Sequence, residues 1–208
     1  FNEVFSKNNS GFDIVIGNPP YIQLQKRISK SDEKKYADIY ENKGFETFER
    51  TGDIYSLFYE RALNILKHKG TLLYITSNKW MRSKYGKSLR KLFSENNPLL
   101  LLDLGPGVFE TATVDTNIIQ IEKNINQDKL KASTINVGES IPFLDDSDFV
   151  NLNSTSIENW IILTPQEQNI KHRAELIGTP LKDWDIDINS GIKTGYNEAF
   201  IIDTEKRN

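Results

Sequence analysis

Residues 12–23 read FDIVIGNPPYIQ. Phe12, Ile14, Val15 and Ile16 have the apolar, β-branched character of a buried strand, and Gly17 punctuates its end. The next residues suit neither strand nor helix. Pro19 and Pro20 both lack an N–H and both fix φ, so the backbone leaving Asn18 is extended, stiff and poor in donors. The loop offers the side-chain oxygen of Asn18, the backbone oxygen of Pro19 one residue on, and the flat ring of Tyr21 beside them. A close, rigid pair of acceptors suits an amino group on a purine ring. Its lone pair is delocalised, and it becomes a nucleophile when both N–H bonds are gripped in a geometry that favours a tetrahedral nitrogen. Extruding a base from a duplex costs a few kcal/mol, and stacking on an aromatic returns about 1–3 kcal/mol. One ring barely offsets that cost, so a second wall is required.

Outward from the loop, residues 24–50 are polar and charged, an excursion from the core in which SDEKKYADIYENKGF predicts a helix ending at Gly44. Asp53 is placed to cap a helix from about Ile54 to His68, with Leu57, Phe58, Ala62, Leu63, Ile65 and Leu66 on one face and Gly70 beyond its end. TLLYITS (71–77) reads as a strand, Lys84 to Glu95 as a helix closed by Asn96, Asn97 and Pro98, and LLLLDL (99–104) as another buried strand. TNIIQIEK (116–123) is a further strand, reached through a loop with no helix and therefore expected to be antiparallel. This rhythm predicts an α/β layer structure with a mostly parallel sheet. After about Asn124 the pattern changes to short strands, ASTINV, FVNLN and IILT, then a helix from Pro165 to about Leu176 and a final NSGIKTGYNEAFIID. The expected organisation is one α/β part over 1–124 and the opening of a β-rich second domain over 125–208.

The chain has 208 residues, 38% of them hydrophobic, and no cysteine. That is enough for one medium domain and part of another. A disulfide framework is excluded, as is any mechanism needing a thiolate, including methylation of cytosine at carbon 5. A reducing cytoplasmic setting is expected, and no apolar run has the length of a membrane span or a secretory signal. The first residue is Phe1 and the single methionine is Met81, so an excerpt of a longer polypeptide is expected. His68 and His172 stand apart without neighbouring ligands and read as surface residues, so no metal site is expected.

Net charge is −3, from 26 basic and 29 acidic residues, but the charge is segregated. Between Arg61 and Ser94 there is no Asp or Glu, whereas Lys79, Arg82, Lys84, Lys87, Arg90 and Lys91 are all basic. From Ala132 to Ile170 the acids Glu139, Asp145, Asp146 and Asp148 occur without Lys or Arg. A solvated helix face accounts for a charge run as readily as phosphate contact does.

DIVIGNPPY resembles the catalytic motif of the amino-methyltransferases that use S-adenosylmethionine. GDIYSLFYERALNILKHKGTLLYITSNKW and LLDLGPGVFETATVDTNIIQIEK resemble the segments that come after it in the TaqI-type (gamma-class) adenine-N6 DNA methyltransferases, above all those in fused type IIG restriction-modification enzymes. NSGIKTGYNEAFIID resembles the start of their target-recognition domain. The resemblance covers nearly the whole chain. It implies the catalytic half of a Rossmann-like methyltransferase sheet, with the catalytic residues Asn18, Pro19, Pro20 and Tyr21, and with Tyr21 and Phe109 as the two walls against a flipped adenine. It implies double-stranded DNA as partner, no membrane, and an S-adenosylmethionine pocket lying mostly upstream of Phe1 with Asn18 at its edge. An isolated fragment would then be inactive. Mg enters only if the parent carries a nuclease domain, and nothing fixes the oligomeric state. Phosphate contact is expected from Lys79, Arg82 and Lys84, after the strand TLLYITS on the carboxyl edge of the sheet.

Other readings stay open. NPPY loops also serve enzymes acting on RNA adenines or a protein glutamine amide, and a non-catalytic DNA-binding subunit is a third possibility. LLLLDLGPG resembles a cofactor-cradling loop with Glu122 at the place of an acidic ribose ligand, which would make the chain a permuted enzyme. Against this, GVFETATVDTN is short and rich in β-branched residues, a poor candidate for the helix such a site needs. Glu33 and Lys35 with Asp13 form a nuclease-like pattern that any charged helix also produces.

Overall fold

The computed structural model describes residues 2–6, 10–31, 33–109, 114–135 and 143–186. Six strands form one mixed sheet: β1 (Phe12–Gly17), β2 (Leu66–Ser77), β3 (Asn97–Gly105), β4 (Thr116–Glu122), β5 (Leu130–Thr134) and β6 (Val150–Leu152). They lie in the order β1-β2-β4-β3-β5-β6. β1 and β2 are parallel, as are β3 and β5, while β4 runs antiparallel to both its neighbours and β6 antiparallel to β5. The α/β class and the reversed direction of the 116–123 strand are as expected. Its place is a finding: β4 inserts between β2 and β3, beside the strand that precedes it in the chain.

The helices are α1 (Asn2–Phe5), α2 (Tyr36–Tyr40), α3 (Tyr55–Ile65), α4 (Lys87–Ser94) and α5 (Pro165–Ile177). α3 stops short of the predicted His68, since Leu66 turns extended (φ −72°, ψ 145°) and pairs with Phe12. The helix expected to end at Gly44 ends at Tyr40; turns succeed it, and Gly44 takes φ +77°. α4 is preceded by a 3-10 turn over Lys84–Gly86. That turn crosses Trp80 so closely that a Cβ on Gly86 would sit 2.0 Å from the Trp80 carbonyl oxygen, so only glycine fits there.

The core contains Tyr55, Tyr59, Leu72, Trp80, Phe93, Leu101, Ile119 and Trp160, all fully or almost fully buried. Trp80, placed by its neighbours in a basic loop, is an interior residue with its ring edge-on to Phe93 at 5.0 Å and to Trp160 at 5.4 Å. The excursion carries a satellite core of Leu24, Ala37, Ile54 and Leu57. Glu60 ties it to α3 by accepting from the Thr47 backbone N–H and hydroxyl, both at 2.8 Å.

The sheet continues past residue 124. β5 pairs with β3 and β6 with β5, and by contacts the chain divides into compact units Phe1–Pro165 and Gln166–Asn208. IILT has no strand pairing, whereas the helix at Pro165 forms as expected. NSGIKTGYNEAFIID lies outside the described residues. No helix among the described residues is long and apolar enough to cross a membrane.

Arg90, read from sequence as part of a basic surface, is 3% exposed and donates to the carbonyls of Trp80, Ser83 and Ile157. Arg90→Met removes the donors and leaves buried acceptors unsatisfied. Urea denaturation should show a loss of about 2–4 kcal/mol; a loss below about 0.5 kcal/mol, the usual range of surface changes, would contradict this role.

Candidate active site

β1 delivers the NPPY loop to the carboxyl end of the sheet, where Gly17 pairs with Tyr74 of β2. No peptide bond among the described residues is cis, so both prolines are trans. Asn18 and Pro20 are exposed and Pro19 is buried. Beyond Tyr21 the chain is held by two backbone bonds, Leu24 N–H to Gly52 O and Ile54 N–H to Ile22 O, both 2.9 Å, around an isolated antiparallel bridge between Gln23 and Asp53. The stiff loop is thereby fixed to the start of α3.

Tyr21 is half-buried, packs on the core, and directs its hydroxyl to the Ile75 carbonyl at 3.4 Å. Its ring centroid lies 6.1 Å from that of Phe109 with the planes tilted by 52°. The two residues expected to flank a base are thus neighbours, although 88 positions separate them in the chain. A base between two rings needs about 7 Å, two contacts of about 3.5 Å, and parallel planes. Here the centroids are closer and the planes tilted, so the rings as placed form no such slot.

A cavity of about 390 Å³ opens beside Tyr21, lined also by Gln23, Asp53, Tyr55, Ser77 and Lys79. Asn18, Pro19 and Phe109 are not part of its lining. Asp53 is 8% exposed and accepts a hydrogen bond from the Tyr85 hydroxyl at 3.0 Å, and that hydroxyl lies 3.3 Å from the Tyr55 hydroxyl. Burial pushes the Asp53 carboxyl above its ordinary range, against the opposing pull of the Tyr85 hydrogen bond and the Lys79 charge. Burial likewise pushes the Tyr85 phenol up to about 12. Asp53 is not the helix cap that its position suggests, because Ile54 occupies the N-cap and no side chain bonds there. An acid before an apolar run is the ordinary capping pattern, so the sequence carried no signal for this buried role.

The basic trio is divided. Lys79 lines the Tyr21 cavity, Lys84 lines a different one, and Arg82 is exposed and lines neither of these two.

The permuted cofactor reading fails on topology. Gly105 (φ +61°) and Gly107 (φ +86°) do form a glycine-dependent turn after β3. Asp103, however, is 6% exposed and occupied by Asn78 Nδ2 at 2.9 Å and the Gly105 N–H at 3.3 Å. Gly105 pairs with Thr116 at one end of β4, whereas Glu122 pairs with Asn97 at the other end, six residues and about 20 Å away. Glu122 instead accepts from Asn124 and Asn97, which lower its pKa. The fold therefore does not bring the DLGPG turn and Glu122 to one end of the sheet, as the permuted reading needs. Asp13 on β1, from the nuclease-like pattern, is ion-paired to Lys67 of β2. Among the described residues no cluster of metal-ligating side chains occurs.

The profile of the Eco57I restriction-modification methylase family matches residues 1–109. The type II methyltransferase M.BstVI of Geobacillus stearothermophilus is 28% identical over 94% of the chain and 38% of its own length. The type II restriction enzyme and methyltransferase RM.Eco57I of Escherichia coli is 29% identical over 95% of the chain and 20% of its own. The chain thus spans roughly two fifths or less of these relatives. Among solved structures, the ATP-dependent Type ISP restriction-modification enzyme LlaBIII bound to DNA shares the fold, with a TM-score of 0.51 and 17% identity over 74% of this chain and 13% of that one.

Because the Asp53 carboxyl is raised in the fold, ionising it costs the folded state more than the unfolded chain. The stability it contributes is fully present below the ordinary carboxylate range and is lost as pH rises through the raised value. Asp53→Asn keeps an acceptor for Tyr85 and removes the charge. Its melting temperature should exceed that of the parent at pH 7, with the gain fading as pH falls toward about 4; an equal or lower value at pH 7 would contradict the buried carboxylate.

Proposed function

The chain belongs to the Eco57I restriction-modification methylase family, and on that premise we propose that it carries the catalytic half of an S-adenosylmethionine-dependent methyltransferase acting on adenine N6 in double-stranded DNA. The modification part of a type IIG enzyme is the setting this reading favours. We place the catalytic half in residues 1–124 and the linker and start of target recognition in 125–208, where β5 and β6 extend the same sheet before the division at Pro165. The reading rests on one observation: the NPPY loop ends β1 with the Tyr21 ring beside a cavity and against Phe109.

In this reading the Asn18 side-chain oxygen and the Pro19 carbonyl accept the two N–H bonds of the target amine and turn its lone pair outward. Pro20 keeps the carbonyl rigid, so no reorganisation is needed at the moment of reaction. Tyr21 stacks on one face of the extruded base, and Phe109, swung from its present contact, covers the other. S-adenosylmethionine would supply a methyl group on a positively charged sulfur. Once methylated the nitrogen is a positively charged ammonium that readily loses one of its two protons, so water suffices as acceptor, and Asp53 is the carboxylate that shares the Tyr21 cavity. Most of the cofactor pocket is placed upstream of Phe1. The side chains of Ile14 and Ile16 on edge strand β1, 65% and 72% exposed, support a further layer of protein there.

The test uses the full-length protein, labelled S-adenosylmethionine and duplex DNA, with the product nucleosides separated. Label is expected in N6-methyladenine. Asn18→Ala should slow transfer on the order of a hundredfold or more, and Tyr21→Ala about fivefold to a hundredfold through lost stacking. Label in RNA or in a glutamine amide, or an Asn18→Ala variant of undiminished rate, would overturn the proposal.

A further inference from the structure

A second, larger cavity of about 530 Å³ is lined by Thr51, Lys84, Tyr85, Lys87, Ser88 and Lys91, with Ile157 also at its wall. Lys84, Lys87 and Lys91 are spaced three and four residues apart, which puts them on one face of the 3-10 turn and α4. All three are exposed along their length and line a concave space. Against them the lining holds one carboxylate, Glu49. Lys91 also reaches Glu95 at 3.4 Å, an exposed i,i+4 pair of the kind that contributes little and exchanges readily. Thr51 and Ser88 add hydroxyl donors.

The shape is fixed from beneath. Arg90, on the buried side of α4, holds the Ile157 carbonyl at 3.0 Å, and the Ser88 hydroxyl reaches toward the Thr47 carbonyl at 3.5 Å. Tyr85 lines this groove and donates its hydroxyl at 3.0 Å to Asp53, which lines the Tyr21 cavity. A charge held in the groove is therefore linked through Tyr85 and Asp53 to the cavity beside Tyr21.

The geometry points to this groove as a docking site for the phosphodiester backbone of duplex DNA, separate from the target cavity and held chiefly by Lys87 and Lys91 with Lys84; the inference rests on the DNA reading above. Three ammonium groups and two hydroxyls around a concavity match the acceptor-only oxygens of successive phosphates. Phosphate contacts fix register without reading sequence, which is what a groove beside an extruded base must supply.

The experiment is DNA binding by the full-length protein across a salt series, with cognate and unrelated duplexes. Each lost phosphate contact lowers the slope of log K against log salt by about 0.9. Lys87→Gln/Lys91→Gln should therefore flatten the slope by about 1.8, weaken both duplexes by the same factor, and be rescued by Lys87→Arg/Lys91→Arg. Lys43→Gln/Lys129→Gln makes the same change in net charge at exposed sites outside the groove and should leave the slope in place. An unchanged slope in the groove variant, with salt-dependent binding by the parent, would overturn the inference alone. Absence of salt-dependent binding by the parent would sink the DNA reading itself. Inorganic pyrophosphate bound by the parent and lost in the groove variant, with the DNA slope intact, would assign the groove to a small anion and overturn the proposal.

Discussion

Two backbone hydrogen bonds carry more of this structure than their number suggests. Leu24 N–H to Gly52 O and Ile54 N–H to Ile22 O bind the chain leaving the NPPY loop to the chain entering α3. A proline pair has no N–H to give to a neighbour, so the loop cannot anchor itself through its own ladder. The anchor is displaced a few residues downstream. That displacement sets Asp53 opposite Gln23, brings Tyr55 and Tyr85 into reach, and leaves Tyr21 with one face on the core and an edge on a cavity. The satellite core under Leu24, Ala37, Ile54 and Leu57 then keeps the anchor dry.

The same arrangement places a charge where burial opposes it. Asp53 has a phenol for a partner and a lysine nearby, yet its carboxyl remains above the ordinary range. Carboxylates kept in such surroundings are a feature of functional sites more than of scaffolding. Arg90 is the contrasting case, a buried cation satisfied by backbone carbonyls that stitches the loop after β2 to the segment around Trp160. Sequence pattern reads both residues otherwise, one as a helix cap and one as a surface base, and both differ for the same reason. Burial of a polar side chain depends on what the rest of the chain folds over it.

The contact of Tyr21 with Phe109 shows how much of the site was legible and where legibility stopped. The family resemblance implied Tyr21 and Phe109 as two aromatic walls, and the fold brings the two rings together. Their separation and tilt lay beyond any pattern, and they describe a closed slot, not an open one. The fate of Glu122 is similar. Its position in the chain allowed a role near the DLGPG turn, and only the direction of β4, which carries it to the opposite end of the sheet, rules that out. Lys79 and Lys84 are close in sequence and line different cavities.

The sequence by itself determined the local features: β-branched runs that make strands, a proline pair that stiffens a loop, an absent thiol that excludes thiolate chemistry, and a basic run without acids. Each depends on the intrinsic geometry or composition of neighbouring residues. Only tertiary structure decided the order of strands, the burial of Trp80, Arg90 and Asp53, the pairing of Tyr21 with Phe109, and the face on which the lysines of α4 converge. Those depend on contacts between residues tens of positions apart, whose energies arise only when the sheet closes water out from between them.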